Sequence, residues 1–320
     1  MNHVFALSAL IAFTASLNAQ QGKIVEQLIY QYPDSSLAIL TARDTGFLTM
    51  QTKTELKAVT YLSDGLKIKG YLIQPKASGK YPCIILCRGG SSLNSPPFDA
   101  ADIAQMQTFA SWGYVVLGTQ YRGSIGSEER DEYGGADVND VLNAAYLFDQ
   151  VPNADTSSIG LYGFSRGGMM VYLALKKSKR FKAAVVNSGV ANIFTHLALR
   201  PDAASLEKKV YATHIPDYIT NKEAELKKRS AVFWADSLSK STPILIMQGS
   251  ADWRVNTEET LELLEKFFKA KQPVKYILFP GAVHGLFGEY RREMHENIKL
   301  WFDDYLKKKK PLPNMEKHGR

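Results

Sequence analysis

Short apolar runs alternate with longer amphipathic segments from Tyr81 almost to the end of the chain. Runs that predict strands lie at 83–87, 114–118, 158–163, 183–187, 243–249 and 274–280. Segments that predict helices lie at 98–112, 136–150, 166–178, 257–270 and 289–307. Because strands that are apolar throughout are buried on both faces, this pattern predicts an α/β fold with a mostly parallel central sheet and helices on both sides.

Two regions depart from this alternation. Residues 56–73 contain two β-rich runs around Ser63-Asp64-Gly65, which predicts an antiparallel hairpin at one edge of the sheet. Residues 191–240 are mixed, aromatic and charged, and they lie between two core strands. We interpret them as a small helical insertion that forms a lid beside the functional site.

The N-terminus has the pattern of a secretory signal peptide. Val4 to Leu17 is almost unbroken apolar sequence, shorter than the roughly 20 residues that a transmembrane helix needs, and Ala19 offers a cleavage site before Gln20. We therefore expect a secreted or periplasmic protein with no stable membrane insertion after cleavage. The alternative is an uncleaved amphipathic or buried helix.

The formal net charge of +7 comes partly from two local clusters of basic residues, at 227–229 and at 307–310. Such runs are usually solvated faces or tails, and no aromatic residues are interleaved with them. We therefore expect no nucleic-acid partner.

The only two cysteines, Cys83 and Cys87, lie in one predicted strand. Four residues of strand separate their Cα atoms by roughly 13 Å. A disulfide requires less than about 7 Å. We therefore predict two buried thiols that do not pair with each other.

The segment Gly163-Phe164-Ser165-Arg166-Gly167 carries the strongest chemical signal. It follows a predicted strand and precedes a predicted helix, which is the context of a G-x-S-x-G nucleophile elbow. Glycines are required there because the turn is sharp and a side chain would collide with the neighbouring strand and helix. Ser165 is therefore the candidate nucleophile, at a helix N-terminus whose dipole favours a developing anion.

A serine nucleophile needs a base and an acid that orients the base. In the α/β-hydrolase fold these follow in the chain order Ser, Asp or Glu, His, each after a strand. Asp252 follows the run at 243–249, with Glu258 as its rival, and His284 follows the run at 274–280. The other histidines are less well placed: His3, His196, His214, His295 and His318.

The oxyanion of an acyl-transfer reaction needs two hydrogen-bond donors. The backbone N–H of Arg166, next to the nucleophile, is one candidate. The loop after the first core strand reads CRGGSS, so Gly90 or Gly89 is the candidate for the other. No phosphate-binding glycine motif and no metal-ligand spacing are present, so we expect no metal and no organic cofactor.

Four motifs resemble the prolyl oligopeptidase family of serine peptidases over roughly residues 81 to 305. They are RGGS at 88–91, QYRGSIGS at 120–127 with GGADVNDV at 134–141, GFSRGG at 163–168, and QGSADWRVN at 248–256 with GAVHG at 281–285. The resemblance implies an α/β-hydrolase fold with Ser165, Asp252 and His284 as triad. It also implies cleavage of peptide or acyl-amide bonds in small substrates.

The sequence departs from that family at several motif positions. Arg88 and Ser91 stand where the family has His and Pro, and Gln248 and Asn256 replace the common His and Pro near the acid. Only about 60 residues precede the core, too few for the N-terminal β-propeller of the large peptidases. A carboxylesterase or acetyl-xylan-type esterase is therefore an alternative, and a non-catalytic binding protein of this fold is another.

Three arginines adjoin the motif residues: Arg122, Arg166 and Arg254. They predict either a positive rim that attracts a carboxylate-bearing substrate or structural ion pairs with Asp137, Asp140 or the acidic residues at 128–132. From its place in the matching motif, Tyr121 is a further candidate to line the pocket.

These observations give a domain organisation. We assign residues 1–19 to the signal peptide, 20–80 to N-terminal edge strands, 81–306 to the catalytic domain with the lid at 191–240, and 307–320 to a basic tail. Oligomeric state and the choice between peptide and ester substrates stay open.

Overall fold

The computed structural model describes residues 20–91, 98–124 and 126–319. Its strands are Ile24–Ile29 (β1), Thr54–Ser63 (β2), Leu66–Pro75 (β3), Tyr81–Cys87 (β4), Val115–Thr119 (β5), Ala154–Phe164 (β6), Ala183–Asn187 (β7), Ile244–Gly249 (β8) and Val274–Phe279 (β9). Its α-helices are Asp34–Arg43 (α1), Phe47–Lys53 (α2), Ala100–Ser111 (α3), Val138–Leu147 (α4), Arg166–Lys177 (α5), Ile193–Leu199 (α6), Ala203–Leu206 (α7), Ala212–His214 (α8), Tyr218–Arg229 (α9), Thr257–Lys269 (α10) and Arg291–Phe302 (α11).

In the described part of the chain the strands form one sheet in the order β1-β2-β3-β5-β4-β6-β7-β8-β9. The strands from β5 through β4 to β9 pair in parallel, whereas β1, β2 and β3 are antiparallel. Five residues of β7 are all buried, as a strand covered on both faces requires. The predicted α/β architecture with an antiparallel edge is confirmed.

Two hydrophobic cores lie on opposite faces of this sheet. One contains the inner sides of α4, α5 and α10, and the other contains those of α3 and α11. The parallel strands end at one edge between the two helical layers. In open α/β sheets that edge is where functional loops collect.

The N-terminal region contains two helices in addition to the edge strands that the sequence predicts. The hairpin of β2 and β3 turns at Asp64 and Gly65, as predicted, but β1 adds an outer strand and two helices intervene. α1 and α2 each bury one apolar residue, Leu40 and Phe47. Such short helices are stabilised by tertiary packing more than by their own sequence, which is why the apolar pattern did not predict them.

The segment at 191–240 is helical and lies between β7 and β8. It contains α6 to α9 together with single turns of other helix types. The last long helix is shorter than predicted, because α11 begins at Arg291 and the final turn at Asp303–Lys307 is a π-helix.

Cys83 and Cys87 are buried free thiols on β4, as the strand spacing predicted. β4 is an interior strand, paired with β5 on one side and β6 on the other. Burial raises the pKa of the Cys87 thiol to about 12 and that of Cys83 further.

The predicted signal peptide lies at residues 1–19, outside the described ranges. Within those ranges no helix combines the length and the apolar character that crossing a bilayer would take.

Candidate active site

Ser165 lies at the sharp turn between β6 and α5. Its backbone has φ 56° and ψ −123°, a conformation that is strained for a residue with a side chain. The flanking glycines leave no room for a Cβ atom: one at Gly163 would lie 2.2 Å from the Gly167 carbonyl oxygen, and one at Gly167 would lie 1.9 Å from that of Cys87. The motif therefore needs glycine at both positions because backbone atoms approach so closely.

The structure brings Asp252 and His284 together from the loops after β8 and β9. The Nδ1 atom of His284 lies 2.8 Å from Oδ2 of Asp252. Oδ1 of the same carboxylate accepts the backbone N–H groups of Arg254 at 2.9 Å and Val255 at 3.0 Å. Because an ionised carboxylate only accepts hydrogen bonds, His284 carries its proton on Nδ1, which leaves Nε2 free to take a proton from a nucleophile.

Gln248 also holds this acid, and sequence reasoning had treated it only as a departure from the family. Its fully buried amide donates from Nε2 to Oδ2 of Asp252 at 3.2 Å and to the Val255 carbonyl at 2.8 Å. The amide therefore ties the carboxylate to the loop that carries it. Gln248 is a polar residue in an otherwise apolar buried strand, and that polarity is the sequence signal for a buried hydrogen-bonding role.

The loop after β4 lies directly against the nucleophile. A Cβ atom built on Gly89 would be 3.2 Å from Cβ of Ser165 and 3.2 Å from the Phe164 carbonyl oxygen. Gly90 has φ +68°, a left-handed conformation that favours glycine. Both glycines border the same cleft as Ser165 and as Arg166, whose N–H group is the other predicted oxyanion donor. The choice between Gly90 and Gly89 as second donor stays a prediction.

These groups open onto one large cleft of about 1330 Å³ at the carboxyl ends of the parallel strands. The Phe164 ring packs against the His284 ring, with centroids 4.8 Å apart. Helices α1 and α2 line one side of the cleft, and the insertion at 191–240 lines another. The insertion therefore borders the site, as a lid would.

The Arg166 side chain makes structural ion pairs. Its guanidinium lies 2.5 Å from Asp131 and 2.6 Å from Asp137, and all three side chains are almost fully buried. Burial alone would lower the pKa of Arg166, but the two carboxylates outweigh burial and raise it. Of the two predictions for Arg166, the geometry supports structural ion pairs and not a positive rim that attracts substrate.

Arg122 and Tyr121 do not reach the cleft, which corrects their prediction as substrate-binding residues. Arg122 pairs with Asp140 at 2.8 Å and Asp64 at 2.9 Å, joining α4 to the β2–β3 turn. The ring of Tyr121 has no exposed area, and its hydroxyl lies 3.3 Å from the Arg88 carbonyl oxygen. Both side chains are buried, Arg122 mainly against the fully buried Asp140 and Tyr121 beneath the oxyanion loop.

Arg254, by contrast, lines the cleft. Its guanidinium lies 5.4 Å from the centre of the exposed Trp253 ring, and Arg200 of the insertion lies 5.3 Å from the same ring. Arg200 also donates to the Arg254 carbonyl at 2.8 Å. The insertion is thereby attached to the loop that carries Asp252.

Comparison with known proteins gives one family and many relatives. A family model described as the prolyl oligopeptidase family matches residues 100–309. The uncharacterized peptidase YtmA of Bacillus subtilis (strain 168) is 28% identical over 251 residues, which are 77% of this chain and 92% of that protein. The acylamino-acid-releasing enzyme of Homo sapiens is 27% identical over 286 residues, which are 82% of this chain but 36% of that enzyme.

Among solved structures, an acylaminoacyl peptidase of Pyrococcus horikoshii is similar with a TM-score of 0.70 and 24% identity. The similarity covers 90% of this chain and 46% of that one. At this identity the likeness shows the fold alone, and it confirms the predicted α/β-hydrolase fold. The chain spans most of the Bacillus peptidase but less than half of the human and archaeal enzymes.

Proposed function

Because the chain belongs to the prolyl oligopeptidase family of serine peptidases, we propose that it cleaves peptide or acyl-amide bonds of small substrates through an acyl-enzyme at Ser165. Membership of the family confirms the resemblance that the four motifs predicted. The observation that carries the proposal is the 2.8 Å contact between His284 and Asp252, made on the cleft that Ser165 also lines.

Acylation begins when Oγ of Ser165 attacks the substrate carbonyl carbon. Its proton passes to Nε2 of His284, and the imidazolium that forms is stabilised by the carboxylate of Asp252. The carbonyl oxygen becomes an oxyanion, which the N–H group of Arg166 and that of Gly90 or Gly89 stabilise. The carbon–nitrogen bond then breaks as His284 returns the proton to the leaving amine.

Deacylation repeats these steps with water as nucleophile. His284 removes a proton from the water, the hydroxide attacks the acyl carbon, and the proton returns to Oγ of Ser165 as the acid product leaves. The free enzyme is regenerated. Every proton that His284 accepts is therefore delivered within the same half-reaction.

The size and lining of the cleft support a peptide-sized substrate. Sites for single small molecules usually enclose about 300–1,000 Å³. The cleft here has about 1330 Å³ and includes the exposed Arg254. We propose that Arg254 hydrogen-bonds a carbonyl or carboxylate oxygen of the substrate, so Arg254→Gln should raise KM with little change in kcat.

The test of the reaction compares kcat/KM on an aminoacyl p-nitroanilide with that on the matched p-nitrophenyl ester, with Ser165→Ala as the blank. Turnover of both that depends on Ser165 supports a peptidase. Turnover of the ester alone replaces the proposal with the esterase alternative. Absence of both, together with failure to react with a fluorophosphonate probe, would indicate a non-catalytic protein of this fold.

We also propose export of the protein, on the strength of the apolar run at 4–17 and the small residues after it. Expression of the full chain in a bacterial host and determination of the N-terminus tests this proposal. A mature chain that begins near Gln20 supports it. A chain that retains Met1 contradicts it.

A further inference from the structure

Three successive carbonyl groups of the loop after β4 are each held by a buried side chain. The Arg88 carbonyl accepts from the Tyr121 hydroxyl at 3.3 Å. The Gly89 carbonyl accepts from Nη1 of Arg88 at 3.0 Å, and the Gly90 carbonyl accepts from Nη1 of Arg166 at 2.9 Å. The loop beside the nucleophile is thus fixed through its acceptors.

Fixing a carbonyl also fixes the N–H group of the next residue, because the two share one planar trans peptide and point in opposite directions. The bond to Tyr121 therefore orients the N–H of Gly89, and the bond to the Arg88 guanidinium orients the N–H of Gly90. Each N–H group therefore points away from the buried side chain that holds its peptide carbonyl, and the loop that carries the two groups adjoins the nucleophile, because a Cβ atom on Gly89 would lie 3.2 Å from Cβ of Ser165. Successive N–H groups can form an anion-binding concavity where the backbone passes through a left-handed residue, and Gly90 has φ +68°.

We propose that the side chains of Arg88 and Tyr121 are positioning residues that hold the oxyanion-binding N–H groups of Gly90 and Gly89 in place, and that the Arg166 guanidinium anchors the next peptide of the same loop. The proposal rests on the proposed acyl-transfer function. Arg166 then acts twice: its backbone N–H binds the oxyanion, and its guanidinium anchors the Gly90 carbonyl, which lies next to the N–H groups that supply the other donor. The two sides of the oxyanion site are thereby coupled through one residue.

The surroundings of the two guanidiniums make this arrangement rigid. Both lie against the Tyr121 ring, at 5.1 Å for Arg88 and 5.2 Å for Arg166. Nε of Arg88 donates to the Gln120 carbonyl at 3.0 Å, and its Nη2 donates to the Ser124 hydroxyl. A donor that is held before the reaction stabilises the developing charge without reorganisation, which is where preorganised sites gain their rate.

The experiment uses three variants: Arg88→Met, Tyr121→Phe and Arg166→Lys. The kcat and KM for p-nitrophenyl butyrate are measured, together with the inhibition constant of n-butylboronic acid, whose tetrahedral serine adduct places an oxygen in the oxyanion site. Loss of a whole oxyanion donor costs about 10²–10³ in kcat. Arg88→Met and Arg166→Lys keep the N–H donors but hold the loop that carries them less firmly, so we expect a smaller effect. The value of kcat should fall about 10- to 100-fold and the inhibition constant should rise by a similar factor, with KM nearly unchanged.

Arg122→Lys is the matched control. Arg122 is also a buried, ion-paired arginine, but it holds α4 and the β2–β3 turn instead of the oxyanion loop. We expect this variant to lose stability while the inhibition constant stays at the wild-type value. If Arg166→Lys fails to fold, Arg88→Met and Tyr121→Phe decide, because both variants keep the ion pairs of Arg166 with Asp131 and Asp137.

Two results would overturn the positioning role. One is an Arg88→Met enzyme whose kcat and boronic-acid inhibition match those of Arg122→Lys. The other is a rise in KM with unchanged kcat, which would indicate a contact with the substrate ground state. The Ser165→Ala blank separates failure of the positioning role from failure of the proposed function. Wild-type turnover in Ser165→Ala would refute the acyl-enzyme, and the positioning role with it.

Discussion

Replacing Gln248 by Met removes two hydrogen bonds that hold the acid loop, while keeping an unbranched side chain of similar length. The amide of Gln248 donates to Asp252 at 3.2 Å and to the Val255 carbonyl at 2.8 Å. A hydrogen bond to a charged group contributes roughly 1.5–3 kcal/mol, and this one is long, so the lower figure applies. Asp252 keeps three other donors, so the variant should fold.

We expect Gln248→Met to lower kcat by about tenfold, the equivalent of about 1.4 kcal/mol, because Asp252 is held less firmly against His284. Unfolding in urea should show a loss of about 2 kcal/mol, since the buried Val255 carbonyl is left without that donor. The assay is kcat on a p-nitrophenyl ester, measured together with the urea transition on the same preparation.

Gln272→Met is the matched control for this prediction. Gln272 is also fully buried, and its amide donates to the carbonyls of Ser239 at 3.3 Å and Thr242 at 2.9 Å, in contacts that do not involve the catalytic loops. It should lose similar stability and keep its kcat. Equal kcat in the two variants would refute the reasoning, because the effect of Gln248 would then be on stability alone.

Three further changes test other parts of the site. Asp252→Asn should lower kcat on the order of 10³-fold or more at neutral pH, since an amide neither fixes the His284 tautomer nor stabilises its cation; a loss below tenfold in steady-state assays would contradict this. Gly167→Ala would bring a Cβ atom to 1.9 Å from the Cys87 carbonyl oxygen. We therefore expect the free energy of unfolding in urea to fall by about 3 kcal/mol or more, and labelling by a fluorophosphonate to be weak. Wild-type values for both measurements would be inconsistent with the elbow geometry. Burial, and secondarily Arg291, lower the pKa of His295 to about 4, below its ordinary value of about 6.5. The contribution of the neutral imidazole to stability is therefore complete above pH 6.5 and is lost as the pH falls towards 4. His295→Phe should gain stability relative to wild type at pH 5 but not at pH 8, and an equal stability difference at the two pH values would exclude this cause.

The parallel sheet and the three triad candidates could be read from the sequence because each depends on local pattern. Apolar runs mark the interior strands, and Ser165, Asp252 and His284 each follow such a run in the order that this fold requires. Parallel strands bring their carboxyl ends to one edge, so the position of each residue after its strand is enough to gather them. Predicting that the three residues meet therefore requires no knowledge of side-chain contacts between distant segments.

The contacts that tune the site could not be read in this way. Whether Arg166 faces substrate or Asp137 depends on how the loop before α4 packs under α5, and sequence alone left both readings open. Tyr121 matched a motif, yet its ring is fully buried and its hydroxyl contacts the Arg88 carbonyl, a packing that the motif does not reveal. α1 and α2 line the cleft, but each buries so little apolar surface that only the surrounding packing defines it.

The buried thiols of β4 provide an intrinsic probe of global unfolding. Cys83 and Cys87 lie on a strand with neighbours on both sides, so an alkylating reagent can reach them only after the middle of the sheet has come apart. Fraying of the termini or movement of surface helices leaves them untouched, and the rate of alkylation therefore measures global unfolding without any added label. The same isolation keeps the covalent structure independent of the redox state of the surroundings, so reducing and oxidising media should yield the same folded protein.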